Sequence, residues 1–268
     1  MVAQPFQERA LQHGSLLGIT LNLPTPFASH IVGRIGYDFV FIDMEHSPLS
    51  AGEATGMVHA VTSGSGGRCS TLIRVPASGV EWVKWGLDSG AAGIVIPMCT
   101  SGPEVEAIVQ RARYPPLGQR SFGPFQTQPA DLGEDANAMK YFNQIAEGTA
   151  VIPMVESVQG LQNAEDIIRV PGVSGIFIGP VDLRLSMGLK PPFDGTEEVY
   201  IQALEKIVAL GKRYNIPIGI YAATTEAMQR WKKMGFTWFL ITGDTSSLTA
   251  GATSVLEGSR TTIRDMKL

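Results

Sequence analysis

The sequence predicts an α/β protein of the (β/α)8 TIM-barrel class, and three observations carry that prediction. Short runs of β-branched and aromatic residues, of the kind buried on both faces of a parallel sheet, occur eight times along the 268 residues. Between them lie stretches with helical periodicity, so that strand and helix alternate over about 240 residues, the size and rhythm of a closed barrel. A doubly wound open sheet is the alternative, and the Gly-x-Gly-x-x-Gly turn of its dinucleotide-binding form is missing from the sequence. One barrel domain spanning 1–268 is expected.

In chain order, the expected strands are 16–21, 38–42, 69–73, 93–96, 150–155, 175–178, 217–221 and 237–241. The expected helices are 28–35, 51–62, 80–89, 103–112, 158–169, 197–214, 225–233 and 246–256. Several helices end on a residue that accepts the left-handed conformation: Gly36, Gly90, Asn215 and Gly235. One link breaks the rhythm. The stretch 111–148 outruns a single crossover helix and carries Arg113, Tyr114, Arg120 and Phe122 among its turn formers, which suits a packed lid or a subunit contact.

Composition narrows the function. With 44% hydrophobic residues, a net charge of −4 and no basic run, the chain has no footprint for nucleic acid. No signal-peptide pattern and no apolar run long enough to span a bilayer is found, so a soluble cytoplasmic protein acting on a small molecule is expected. Cys69 and Cys99 are far apart and in no metal or redox spacing, and read as buried thiols.

In a parallel barrel the functional groups stand at the carboxyl ends of the strands. There the sequence places Asp43, Glu45 and His46 after strand two, Arg74 after strand three, Glu156 after strand five, Gly179-Pro180-Val181-Asp182 after strand six, and Gly243-Asp244 after strand eight. Glu156 and Asp182 follow consecutive strands, which lie ~4.8 Å apart. Two carboxylates without a nearby Cys or His suit a hard divalent cation that keeps several waters, Mg2+ or Mn2+ before Co2+ or Zn2+. Taken singly, Asp182 could equally cap the short helix beginning at Leu183, and Glu156 could favour the first turn before Val158 through the helix dipole.

Arg74 offers a fixed cation for a carboxylate or an enolate oxygen, or an ion pair with Asp43 or Glu45. Asp43 and His46 are spaced so that the carboxylate could orient the imidazole as a general acid/base. His13, His30 and His59 fall in helical or terminal segments and read as packing or surface residues. None of the eight lysines lies on or just after an expected strand, which argues against imine chemistry. The segment 242–247 could offer backbone N–H groups to an anion, or Asp244 or Thr245 could cap a helix.

These residues carry a resemblance. Phe41-Ile42-Asp43-Met44-Glu45-His46-Ser47-Pro48, Ile73-Arg74-Val75-Pro76, Ile96-Pro97-Met98, the run from Arg113 to Arg120, Val155-Glu156-Ser157 and Phe177-Ile178-Gly179-Pro180-Val181-Asp182-Leu183 resemble the HpcH/HpaI family of metal-dependent aldolases, over 18–256. The resemblance implies a class II aldolase that cleaves a 4-hydroxy-2-oxo acid to pyruvate, or a related 2-oxo acid, and an aldehyde. It implies Glu156 and Asp182 as metal ligands, Arg74 at the keto or enolate oxygen, backbone N–H groups near Val181 and Asp182 at the substrate carboxylate, and Asp43 with His46 handling protons. It also implies a homo-oligomer, a hexamer of two trimers, with the last helix exchanged between subunits.

Oxaloacetate decarboxylation or macrophomate-synthase-like carbon–carbon bond formation on the same site is the rival activity, and a silent barrel used as a binding protein is the rival of another class. The family often has Gln where this chain has Met154, and an aliphatic residue where it has Tyr221. With the aromatic loop 121–126, these two candidate substrate contacts, which join Gly179, Pro180 and Val181, suggest a less charged aldehyde.

Overall fold

The computed structural model describes residues 4–190 and 194–266. Eight parallel strands close into a barrel in sequence order: β1 (Leu16–Leu21), β2 (Phe39–Asp43), β3 (Ser70–Arg74), β4 (Gly93–Ile96), β5 (Ala150–Val155), β6 (Ile176–Ile178), β7 (Ile218–Tyr221) and β8 (Trp238–Gly243), with β8 pairing back onto β1. All eight expected strands are present, displaced by two residues or fewer at their ends.

The barrel is filled by the alternate residues that point inward. Leu16, Phe39, Phe41, Leu72, Val95, Ile152, Met154, Phe177, Trp238 and Leu240 form this inner cluster. Two glycines make room for its largest rings, since a Cβ at Gly18 would collide with Phe39 and one at Gly219 with Trp238. The amino-terminal mouth is plugged by a helix that the periodicity does not suggest, Phe6–His13. Its Phe6 meets Phe39 and Trp238 edge to face, with centroids 5.8 and 5.2 Å away. The second apolar shell, between strands and outer helices, is larger and runs continuously around the barrel.

The outer helices start and stop for local reasons. Helix Ala51–Ser65 opens with a reciprocal capping box between Ser50 and Glu53. Helix Glu198–Tyr214 ends on Asn215 at φ 54°. The helix expected over 158–169 is broken at Asn163 into Val158–Gln162 and Ala164–Ile168, where the Asn163 amide donates to the Thr100 carbonyl. The last helix, Asp244–Asp265, starts two residues earlier and runs nine residues further than expected, and it is exposed beyond Asp244. None of the described helices is long and apolar enough to cross a membrane.

The long link after β4 packs at the amino end of the barrel, not over the strand ends where a lid would lie. Arg113 donates to the carbonyls of Thr149 (2.9 Å) and Gly172 (3.4 Å), which precede β5 and β6. Arg120 pairs with Asp88 (2.6 Å), at the end of helix Val80–Asp88, and donates to the Tyr141 hydroxyl (3.1 Å). The Gln126 carbonyl lies 2.8 Å from the His59 ring. The sequence-based expectation that 121–126 shapes the aldehyde side is thereby corrected for the chain's own barrel: helix Gly102–Ala112 has already carried the chain down to the other face.

Candidate active site at the carboxyl ends of the strands

Register brings the first pair together. β2 and β3 align so that Asp43 and Arg74 are direct neighbours on adjacent strands. The guanidinium grips the carboxylate through Nε (2.9 Å) and Nη2 (2.6 Å), while Nη1 lies 3.0 Å from Glu45 Oε2. Phe41, one layer below, holds the guanidinium over its ring at 5.5 Å. Burial would raise the Asp43 carboxyl, but the hydrogen bonds and charge of Arg74 and the N–H groups of His46 and Glu45 bring it below its ordinary value. Burial would likewise weaken Arg74, and its carboxylate partners Asp43, Glu45 and Glu156 outweigh that.

This arrangement corrects the expected Asp43–His46 pair. The Asp43 carboxylate is filled by Arg74, by the backbone N–H groups of Glu45 (3.1 Å) and His46 (3.3 Å) and by the Asn22 amide (3.2 Å). The His46 imidazole instead points outward, 63% exposed, with Nε2 3.6 Å from Glu45 Oε2. Position explains the swap: a carboxylate at the last residue of a strand meets the neighbouring strand first, and the turn that follows carries His46 away.

Glu156 is, with Asp43, a buried acid of the site. It is 3% exposed and follows β5, whose Val155 pairs with Ile178 of β6, so Glu156 and Gly179 lie side by side. A Cβ at 179 would collide with Glu156 Oε2, which is why glycine stands there. The other oxygen accepts the Met98 N–H at 2.6 Å. Met98 has φ 54°, an uncommon conformation for a side-chain-bearing residue, and this bend after β4 aims its N–H at the carboxylate. Burial, then the charges of Glu45 and Asp182, raise the Glu156 carboxyl to about 7 against the Met98 and Arg74 interactions. Glu45 is also raised, by burial first and by Asp43 and Asp182, with Arg74 and His46 opposing.

Asp182 sits in the first turn of the helix Pro180–Ser186 and is exposed. The capping account of this acid fails, because the N-cap is Gly179 and no side chain caps the helix. Ser157 caps the helix after β5, accepting from Gly160 N at 3.0 Å. With Pro180 at the first helical position, the N–H groups of Val181 and Asp182 lack intrahelical partners. Met154 is 1% exposed and belongs to the apolar layer beneath Glu156, and Tyr221 is half-buried against the same interior cluster.

At the end of β8 an anion pocket is already filled from within. The Asp244 carboxylate accepts from Asn22 N, Leu23 N (2.9 Å) and Thr245 N (2.7 Å). Of the further site residues, Glu45 already stands in the sequence reading as a possible partner of Arg74, and Met98 falls in the Ile96-Pro97-Met98 motif without a role; Asn22 has no sequence signal.

The donor chemistry suits a hard cation with two protein ligands. Asp43, Glu45 and Glu156 face a single arginine, Asp182 adds its charge to Glu45 and Glu156, and the Glu156 oxygen against Gly179 lies in a cradle only glycine permits. Among the described residues no three His, Cys, Asp or Glu side chains converge on one metal position, so water and substrate would complete any coordination shell. Lys267 lies outside the described residues, and none of the other lysines is buried.

The HpcH/HpaI aldolase/citrate lyase family model matches residues 18–250. A hydroxypyruvate/pyruvate aldolase of Rhizorhabdus wittichii is 30% identical over 244 residues, covering 90% of this chain and 92% of the relative. A 2-keto-3-deoxy-L-rhamnonate aldolase of Salmonella schwarzengrund is 32% identical over 215 residues, covering 79% and 78%. Among solved structures, macrophomate synthase superposes with a TM-score of 0.85 at 27% identity, covering 99% of this chain and 93% of the other. The chain belongs to the HpcH/HpaI aldolase/citrate lyase family, and it is a carbon–carbon lyase.

Proposed function

We propose that the protein is a class II aldolase that cleaves a 4-hydroxy-2-oxo acid to pyruvate, or a close 2-oxo acid such as hydroxypyruvate, and an aldehyde. The observation that carries this reading is the acid surplus around Glu156, a buried carboxylate whose carboxyl is raised to about 7 by burial and by Glu45 and Asp182. Such a cluster gains most from a divalent cation. Glu156 and Asp182 would hold it, with Mg2+ or Mn2+ favoured by the all-oxygen donor set. When bound, the cation supplies Lewis-acid polarisation of the 2-oxo group.

The chain's own residues do the rest. Arg74, held by Asp43 and sharing Nη1 with Glu45, presents its Nη1–Nη2 edge to the oxygen that becomes negative as the carbon–carbon bond breaks. The free N–H groups of Val181 and Asp182 orient the substrate carboxylate at the helix start. His46, exposed and beside Glu45, passes the proton between the 4-hydroxyl and solvent. The apolar layer of Phe41, Met154 and Phe177 closes the site from below and excludes water.

Assembly belongs to the same reading. Leu248 at 64% and Val255 at 72% exposure support the last helix packing on a second copy, in a hexamer of two trimers. The activity is tested by following pyruvate from 4-hydroxy-2-oxo acids and from oxaloacetate with Mg2+ or Mn2+, then with a chelator. Metal-dependent release is expected. Release that survives complete metal removal, or inactivation by borohydride in the presence of pyruvate, would overturn the metal reading.

A further inference from the structure

The root of the C-terminal helix and the Arg74–Asp43 pair are joined by one residue. Asn22 follows β1 directly, and its Nδ2 donates to Asp43 Oδ2 (3.2 Å) and to Ser47 Oγ (2.8 Å). Its backbone N–H lies 3.1 and 3.0 Å from the two oxygens of Asp244, and the Leu23 N–H lies 2.9 Å from Oδ2. Asp244 is the first residue of helix Asp244–Asp265 and is itself 7% exposed. A continuous path of hydrogen bonds therefore runs from the helix root through Asp244 and Asn22 to Asp43, and from Asp43 to the Arg74 guanidinium.

We propose that Asn22 is a positioning residue for the Arg74–Asp43 pair, and that Asp244 couples the seating of the C-terminal helix to the alignment of Arg74. The inference rests on the reading that Arg74 serves the reacting oxygen. Four of the five donors on Asp43 come from β3 and from the turn after β2: Arg74 Nε and Nη2, and the N–H groups of Glu45 and His46. Asn22 adds the fifth from just beyond β1, on the oxygen that also takes Arg74 Nη2. It thus fixes the tilt of the carboxylate that the guanidinium fork follows.

Asn22 can hold that place only while its backbone is held, and the backbone is held by Asp244. A displacement of the helix root would free the segment 22–23 and release the amide from Asp43. Chemistry at Arg74 would then respond to a contact made on the outer helix without any residue of that helix touching substrate.

The test uses the full-length protein with Mn2+ and follows pyruvate release for Asn22→Ala, Asn22→Asp, Asp244→Asn and the Asn22→Ala/Asp244→Asn double variant. Loss of a hydrogen bond to a charged group corresponds to about tenfold. Asn22→Ala is expected to lower kcat by about tenfold with little change in KM. Asn22→Asp, nearly isosteric, is expected to lose more, because it sets a second carboxylate against Asp43. The double variant is expected to be no worse than Asn22→Ala, since both changes cut one path.

Hydrogen exchange of the Arg74 Nε–H, assigned against Arg74→Lys, reads the same coupling without turnover. It should quicken in Asn22→Ala and in Asp244→Asn. Losses that multiply in the double variant, an Asn22→Asp no worse than Asn22→Ala, or unchanged Nε–H exchange in both single variants would overturn the proposal. A wild type that releases no pyruvate with metal would instead overturn the aldolase reading, and the exchange measurement would still decide the positioning role.

Discussion

Arg74 at the carboxyl end of the barrel and Arg113 with Arg120 at the amino end are held in opposite ways. At the carboxyl end Arg74 stands among Asp43, Glu45 and Glu156, with Asp182 beside the last two, so negative charge is in surplus, and burial together with Glu45 and Asp182 pushes Glu156 up to about 7. At the amino end Arg113 and Arg120 have one close carboxylate, Asp88, and otherwise meet the Thr149 and Gly172 carbonyls, the Tyr141 hydroxyl and the face of Tyr114 at 4.6 Å. The second set spends its donors on carbonyls, hydroxyls and one carboxylate, with Arg120 Nε left unpartnered, and clamps a long link in place. The first has acids left over, which is the condition for holding a cation. The sign of the unmatched charge, more than burial itself, separates a working arginine site from a structural one.

The contrast breaks if the acids at the carboxyl end prove dispensable. Glu156→Gln and Asp182→Asn are each expected to reduce metal-dependent pyruvate release by about 10³-fold or more, matching the several kcal/mol a Lewis acid supplies. Mn2+ titration of each variant in the absence of substrate should show weakened binding. Arg74→Lys keeps the charge and loses the fork, and should lower kcat by about 10²-fold. At the amino end, Arg120→Ala leaves Asp88 unpaired and should cost about 3–5 kcal/mol of stability, read as a lowered Tm, while Mn2+ affinity stays at the wild-type value.

Acidity sharpens the comparison further. The folded protein keeps the Glu156 proton up to about pH 7, whereas the unfolded chain releases it near the ordinary value of 4.5. Between those values the native state binds more protons, so this group makes the metal-free protein less stable as pH rises, by up to about 3 kcal/mol. Melting curves at pH 5 and pH 8 should show that component disappear in Glu156→Gln, and Mn2+ should raise the Tm more at pH 8 than at pH 5. The smallest effect is expected at Met98. Met98→Gly keeps the N–H that Glu156 accepts and relieves φ 54°, so Mn2+ affinity should hold and stability should rise by about 1 kcal/mol or less.

Much of this was legible in the sequence because a parallel barrel writes its strands as local apolar runs. A run such as Phe39-Val40-Phe41-Ile42 is buried on both faces wherever its neighbours come from, so its ends, and with them Asp43, Arg74, Glu156 and Asp182, could be placed along the chain alone. The neighbouring placement of Glu156 and Asp182 likewise follows from consecutive strands, whereas the contact of Glu156 with Gly179 is set by the register.

Tertiary structure decided what depends on register and on distant partners. Asp43 takes Arg74 in place of His46 because β2 and β3 align those two residues; the Arg74–Asp43 ion pair is one of the alternatives the sequence offers, and only the register selects it. Helix Phe6–His13 buries only Phe6 and Ala10, too few apolar positions to announce a helix, and it exists because the barrel mouth needs a plug. The long aromatic link lies at the amino end because the helix before it has already crossed the barrel. Asn22 and Met98 act on Asp43 and Glu156 through an amide and a backbone N–H. Such groups carry no sequence signal of their own, since their effect is created by the fold that brings a carboxylate within reach.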